Sequence, residues 1–193
     1  VNISDSEITT AKDNSGGLMT AGGGTTVADN VSAATSGKSS AALRSDRGGG
    51  TVTASGGSYS TKGYDSPAVY STAAITVKDA KLTAENSEAL VIEGKNSLTL
   101  ENCDVSGNMS KDKGTASANN VQNVMIYQSM SGDADQGTSK FSMTGGKLTG
   151  NSGDMFYFTN TSAEVDLNNV QLTNNDKDGC LMRIVGNSSG KGW

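Results

Sequence analysis

The sequence predicts an all-β protein, a right-handed parallel β-helix of about seven rungs with three short strands per rung, on three observations. The first is a repeat. Ile75-Thr76-Val77 followed by Leu82, Leu98-Thr99-Leu100 by Val105, Phe141-Ser142-Met143 by Leu148, and Val165-Asp166-Leu167 by Leu172 share one pattern. The step is 23 residues from Ile75 to Leu98 and 24 from Phe141 to Val165. A fixed period in this range marks a solenoid, in which each repeat buries its apolar face only against the next. The second observation is period-2 alternation within each unit: Ile75 and Val77 point in while Thr76 and Lys78 point out. The third is that one proline occurs in 193 residues, which suits strands donating ladder hydrogen bonds on both sides. Crossovers between parallel strands are almost always right-handed, and this sets the hand of the helix. An antiparallel β-sandwich, the competing all-β fold, would not need so long an in-phase repeat.

Taken in order, the first strand of each rung is read at Val1-Asn2-Ile3, Thr26-Val27, Val52-Thr53-Ala54, Ile75–Val77, Leu98–Leu100, Phe141–Met143 and Val165–Leu167. A small corner such as Gly56-Gly57 or Asp79-Ala80 leads to a second strand marked by Ile8, Val31, Tyr59, Leu82, Val105, Leu148 or Leu172. A polar turn such as Thr83–Ser87 precedes a third strand at Ala41–Leu43, Pro67–Val69, Ala89–Ile92, Val124–Ile126, Met155–Phe158 or Leu181–Ile184. Pro67 stands at the start of its strand, where a missing donor costs least. The asparagines Asn102, Asn168, Asn169, Asn174 and Asn175 read as corner residues that stack their amides between rungs or cap turns.

Composition excludes much. Hydrophobic residues make up 34% of the chain, enough for the narrow core of a solenoid but thin for a globule. A net charge of −5 with no basic stripe argues against nucleic acid, whose binding depends on phosphate neutralisation by Lys and Arg. No apolar run of about 18 residues is present to insert into a membrane. Histidine is absent, so no Ser-His-Asp or Cys-His nucleophile and no His-ligated catalytic zinc can be assembled. Cys103 and Cys180 sit two repeats apart. Two rungs at about 4.8 Å each exceed disulfide reach, and both thiols read as small buried hydrophobes. Residues 1–193 are expected to be a single β-helix domain, a piece of a longer secreted surface protein. Its open end rungs would then favour end-to-end self-association.

One turn departs from the period: 43 residues separate Leu98 from its next equivalent, Phe141. The excess lies in Asn108–Asn120, with Lys111, Asp112 and Lys113, and in Met130–Ser139. Insertions into a solenoid map to loops on one face, often the binding face. Asp133 and Asp135 of the second insertion are weak candidates for calcium, lacking the further acidic ligands of a strong site. No cofactor is otherwise implied.

Beyond the apolar triplets of the third strands the sequence places Arg44, Tyr70, Glu93 and Tyr127 in one column, with Asp46, Arg47, Lys95 and Gln128 beyond it. Tyrosines interleaved with charged and amide groups can stack on sugar faces and hydrogen-bond their hydroxyls. The plainer reading is a solvated strand face with a cross-strand pair such as Arg44 with Glu93. Tyr70 and Tyr127 are expected outside the core, so that replacing either would weaken binding without loss of stability. Asp46 and Glu93, two rungs apart at about 9.6 Å, also fall near the upper separation for an inverting glycosidase pair. Uronate elimination would instead need an Arg or Lys base beside calcium. The ladder Thr53, Thr76, Thr99 suggests an ice-binding or structural surface, which Lys78, Lys81 and Glu101 interrupt.

The segments Ser45–Val52, Ser66–Ser71, Val91–Ser97 and Val124–Asp133 resemble the adhesin-like right-handed β-helix repeat proteins of gut Gram-positive bacteria, Firmicutes and Actinobacteria. More loosely they are similar to autotransporter passenger domains. The resemblance covers about Ala41 to Trp193 and supplies no catalytic residues. It implies an extracellular, cell-surface protein. The function expected is therefore non-enzymatic binding of a glycan or a host or partner protein, through the lateral ridge and the fifth-turn loops. A polysaccharide lyase or glycoside hydrolase using Asp46 and Glu93 is the alternative.

Overall fold

Backbone hydrogen bonds that run from each turn to the next, rather than within a turn, organise the chain. The computed structural model describes residues 1–111, 120–129 and 131–186. Strands are numbered in chain order. Sheet A stacks β1 (Asn2–Ser4), β4 (Gly24–Asp29), β7 (Gly50–Ser55), β10 (Ala74–Lys78), β13 (Ser97–Glu101), β16 (Thr138–Thr144) and β19 (Ser162–Asn168). Sheet B stacks β2 (Glu7–Thr10), β5 (Ser32–Thr35), β8 (Ser58–Thr61), β11 (Lys81–Ala84), β14 (Asp104–Gly107), β17 (Lys147–Gly150) and β20 (Gln171–Asn174). Sheet C stacks β3 (Leu18–Thr20), β6 (Leu43–Ser45), β9 (Val69–Ser71), β12 (Leu90–Glu93), β15 (Gln122–Tyr127), β18 (Asp154–Thr159) and β21 (Met182–Val185). Every pairing is parallel, which makes the molecule a parallel β-helix of seven rungs with three strands each.

The alternation read from the sequence is the alternation of the sheets. In sheet A, Val52, Ile75, Leu98 and Phe141 stack as one inward column, and Ala54, Val77, Leu100 and Met143 as the next. Between them Thr53, Thr76, Thr99 and Ser142 form the outward column. Tyr59, Leu82, Val105 and Leu148 line the core from sheet B, and Leu43, Val69, Leu90, Val124 and Phe156 from sheet C. The Phe141 and Phe156 rings meet at 5.9 Å between centroids, so aromatic packing fills the sixth rung. Rung 2 differs from the sequence reading. Thr26 pairs with Val52 and Ala28 with Ala54, so those two face inward, and Val27 projects out at 40% exposure. The neighbouring columns fix this register, because a slip of one residue would turn every side chain of β4 to the wrong face.

The corner between sheets A and B carries a left-handed residue in every rung, at Asp5, Asn30, Gly56, Asp79, Asn102, Gly145 and Asn169 with φ from 47° to 68°, and Gly57 and Gly146 add a second in the third and sixth rungs. Asn, Asp and Gly are the residues that tolerate this conformation. Asn30 Nδ2 donates to Asp5 Oδ1 at 2.8 Å and Asn102 Nδ2 to Asp79 Oδ1 at 3.2 Å. Asn175 Nδ2 likewise donates to Asn151 Oδ1 at 2.7 Å. Of the five asparagines read as corner residues, Asn102, Asn174 and Asn175 thus tie one rung to the next, the last two at the corner between sheets B and C. At the corner between sheets B and C serine hydroxyls also take that part. Ser40 Oγ accepts from Ser15 N, Ser66 Oγ from Ser40 N, and Ser87 Oγ from Ser66 N.

Both cysteines are free. Cys103 is buried at a corner, but Cys180 is exposed, which corrects its reading as a core residue. It lies on the last described rung, where nothing further along the described chain stacks on it.

Candidate functional site

Sheet C positions the predicted ridge. Its register separates that ridge into two columns. Met19, Arg44, Tyr70, Val91, Met125, Tyr157 and Arg183 pair in succession along the outward face. Glu93 pairs with Tyr127 and Tyr127 with Thr159, one pleat further along the strands. The column read from the sequence thus merged two. The cause is the length of the apolar runs. Ala41–Leu43 and Pro67–Val69 end at the first inward position of their strands, where Leu43 pairs with Val69 and Val69 with Leu90. The run Ala89–Ile92 continues to the second inward position, at which β9 has Ser71. Aligning the runs by their ends therefore shifts Glu93 and Tyr127 by two residues.

Glu93 is the centre of the site and is only 1% exposed. Its Oε2 accepts from the Tyr70 hydroxyl and, at 3.1 Å, from the Tyr127 hydroxyl. Its Oε1 accepts from Ser129 Oγ. The two phenol oxygens are 3.0 Å apart. Burial, then the neighbouring Tyr127 and Glu93, push the Tyr70 phenol far above its ordinary value, and burial beside Glu93 does the same to Tyr127. The two rings lie outside the main core, as expected, yet they are half-buried and packed on a second apolar cluster of Val91, Met125 and Tyr157. Truncating either would therefore cost stability, contrary to the expectation of a free ligand platform.

Arg44 does not pair with Glu93. It bonds Asp46 at 2.8 Å and lies 5.3 Å over the Tyr70 ring. Arg47, next in the chain, is ion-paired with Asp133 of the second fifth-turn insertion. That contact spans three rungs, about 14 Å at strand spacing, so the segment Ser131–Gly137 runs back over the third corner. Two further bonds hold it: Lys95 N donates to the Asp135 carbonyl at 2.8 Å, and Gln128 Nε2 to the Ala134 carbonyl at 3.2 Å. Gln128 is buried, Lys95 is exposed, and both border this segment rather than the ridge. Arg47 holds the Asp133 carboxyl below the usual range. Of the insertions themselves, 112–119 and Met130 lie outside the described residues. Among the described residues no cluster of three or more Cys, Asp or Glu is placed to hold a metal ion.

Sequence reasoning missed a second buried polar row. Glu88, Gln122 and Asp154 lie on the face of sheet C just before the apolar positions, each at most 6% exposed. Gln122 Nε2 donates to Glu88 Oε1 at 2.7 Å, and Asn120 Nδ2 bridges Gln122 at 3.0 Å and Asp154 at 3.2 Å. Arg183 closes the row on Asp154 at 2.5 Å. Burial raises the Glu88 carboxyl above its ordinary value, against the bonds from Ser87 and Gln122. Burial also opposes ionisation of Asp154, but Arg183, the Cys180 N–H and Asn120 outweigh it and lower that carboxyl. The available signal was a polar residue one or two positions ahead of each longer apolar run, Glu88 before Ala89, Gln122 before Val124 and Asp154 before Met155.

The open part of the site is a concavity of about 510 Å³ lined by Met19, Ala21, Arg44, Asp46, Arg47 and Asp133. Fold and site together define a parallel β-helix whose fifth turn lays a loop across one sheet. No family model, curated protein or solved structure matches this chain.

Proposed function

We propose that this protein is a non-enzymatic, adhesin-like β-helix of the bacterial cell surface, which binds a glycan or a host or partner protein beside its fifth-turn loop. The observation that carries the reading is the Arg47–Asp133 tie, which fixes an inserted loop against the ridge and leaves a concavity between them. A loop that departs from a regular solenoid and is pinned to it is a recognition element on a rigid scaffold. The exposed Met19 and the paired Arg44 and Asp46 give that concavity an adaptable apolar contact and two charges of opposite sign. Glu93 supports binding over hydrolysis, because both of its oxygens already accept hydroxyls inside the protein.

The test is binding of the labelled protein to printed glycans and to immobilised mucin and extracellular-matrix proteins. Arg44→Gln is expected to weaken saturable binding at least fivefold while the melting temperature holds. Release of reducing ends or unsaturated uronates from polysaccharides, lost in Glu93→Gln, would replace this reading with the enzymatic one.

A further inference from the structure

The fifth-turn loop has a second side. Opposite Asp133, its residues Gln136 and Gly137 form one wall of a concavity of about 340 Å³, and Gln128, Thr138, Asn160, Thr161 and Ser162 form the rest. The volume lies within the range of small-molecule sites, about 300–1,000 Å³. Its chemistry differs from that of the ridge: no charged side chain lines it. Every side chain in the wall ends in an amide or a hydroxyl.

Several of these groups are spent on structure. Asn160 Nδ2 donates to the Gln128 carbonyl at 2.8 Å, and Thr161 Oγ1 to the Gly137 carbonyl at 3.1 Å. Gln128 Nε2 is bound to the Ser129 and Ala134 carbonyls, while its Oε1 is buried without a partner. These contacts make the wall rigid. Three groups remain outside them: the Gln136 amide and the hydroxyls of Thr138 and Ser162, which have no side-chain partner among the described residues. Thr138 and Ser162 pair directly across β16 and β19, so their side chains leave the sheet on one face from backbones a strand spacing apart, about 4.8 Å.

We propose that this groove is a binding site for an uncharged oligosaccharide. The inference rests on the proposed binding role of the fifth-turn loop and names a ligand class for its second side. A sugar offers hydroxyls that both donate and accept, which an amide and two hydroxyls at fixed spacing can match without leaving any charge unpaired. An ionic ligand entering the groove would lose hydration with no opposite charge in the wall to replace it. Thr138 also lines an adjoining concavity where Lys95 and Lys140 stand, Lys140 being paired with Glu164 at 3.0 Å. A chain longer than one residue would extend in that direction.

The experiment is calorimetric titration with neutral malto-, cello- and galacto-oligosaccharides, and with galacturonate oligomers of matched length. The proteins compared are the wild type, Gln136→Ala, Thr138→Val with Ser162→Ala, and Arg44→Gln on the ridge side. Binding of a neutral oligosaccharide is expected, weakened roughly two- to tenfold for each hydrogen bond removed. It should survive Arg44→Gln. Thr138→Ser serves as the variant that keeps both the hydroxyl and the strand, and it should bind as the wild type does. Neutral-sugar binding lost in Arg44→Gln but kept in the groove variants would overturn the groove and leave the ridge reading standing. Preference for galacturonate oligomers would overturn the ligand class. No binding of any of these sugars would overturn the groove, while the ridge reading would still be judged on the protein panel.

Discussion

Sheet C holds two methionines in one outward column, and they occupy opposite environments. Met19 on β3 is 60% exposed, whereas Met125 on β15 is 4% exposed. The next column repeats the contrast: Asp46, beyond β6, is partly exposed beside Arg44, while Glu93 at the end of β12 is sealed under three hydroxyls. Sheet, face and residue chemistry are shared between the members of each pair. What differs is the rung. The outer face of sheet C is open in the first rungs and buried from the fourth to the sixth, around the turn that carries both insertions. An outward position in a β-helix is therefore not a solvated position by right, because a distant insertion can turn it into a second core.

The contrast is most sharply broken by truncating its two methionines. Met125→Ala is expected to cost about 2–5 kcal/mol, as for a buried side chain. Met19→Ala should stay within about 0.5 kcal/mol. Urea denaturation of both variants checks this, and equal losses would show that the two faces are alike after all. The carboxylates give the next largest effect. Glu93→Ala removes the shared acceptor, but the two phenols keep each other and Ser129 keeps Ser131, so one buried hydroxyl is left unpaired at a cost of about 1–3 kcal/mol. Asp46→Ala removes a half-exposed ion pair worth about 0–1 kcal/mol.

A smaller effect separates the two faces by pH. The folded-state pKa of Glu88 is raised by burial, so the folded protein holds that proton more tightly than the unfolded chain does. Its contribution to stability is full below the unfolded value, about 4.3, and is lost as pH rises through the folded value. Glu88→Gln keeps an acceptor for Gln122 and removes the titration. The melting temperature of the variant relative to wild type should therefore climb between pH 4 and pH 8, and a flat difference would show that Glu88 is not held in this way. The smallest effect is expected at the loop. Arg47→Ala frees Asp133 and should leave the melting temperature unchanged, since the pair is exposed. Hydrogen exchange at the Lys95 amide, which bonds the Asp135 carbonyl, should nonetheless quicken, and added salt should mimic the change in the wild type. Unchanged exchange would mean that the backbone bonds alone hold the loop.

Much of the architecture is local and was legible for that reason. The inward columns through Val52, Ile75, Leu98 and Phe141 follow from period-2 alternation repeated at the rung period, and each rung independently reports the same register. The left-handed corners at Asn30, Asp79 and Asn102 follow from residue types that tolerate positive φ. Val27 was misplaced because rung 2 fills its core with Thr26 and Ala28, which are too small and polar to mark a face by themselves. At the site the sequence named Glu93, Tyr70 and Tyr127 as neighbours but missed Glu88, Gln122 and Asp154.

The parallel β-helix, its seven rungs, its corners and the turn at which the period fails were all legible in the residues alone. Those are properties of adjacent residues and of a repeat that restates itself every 23 to 26 positions outside the fifth turn. The tertiary structure alone decided that Cys180 is exposed, that Arg44 pairs with Asp46 and not Glu93, and that Glu93 is buried. Cys180 is exposed because it lies on the last described rung, whereas Glu93 is covered where the fifth-turn loop begins, and the tie that fixes that loop joins Arg47 to a residue 86 positions away. Periodicity constrains which way a side chain points; only long-range packing sets what lies over it.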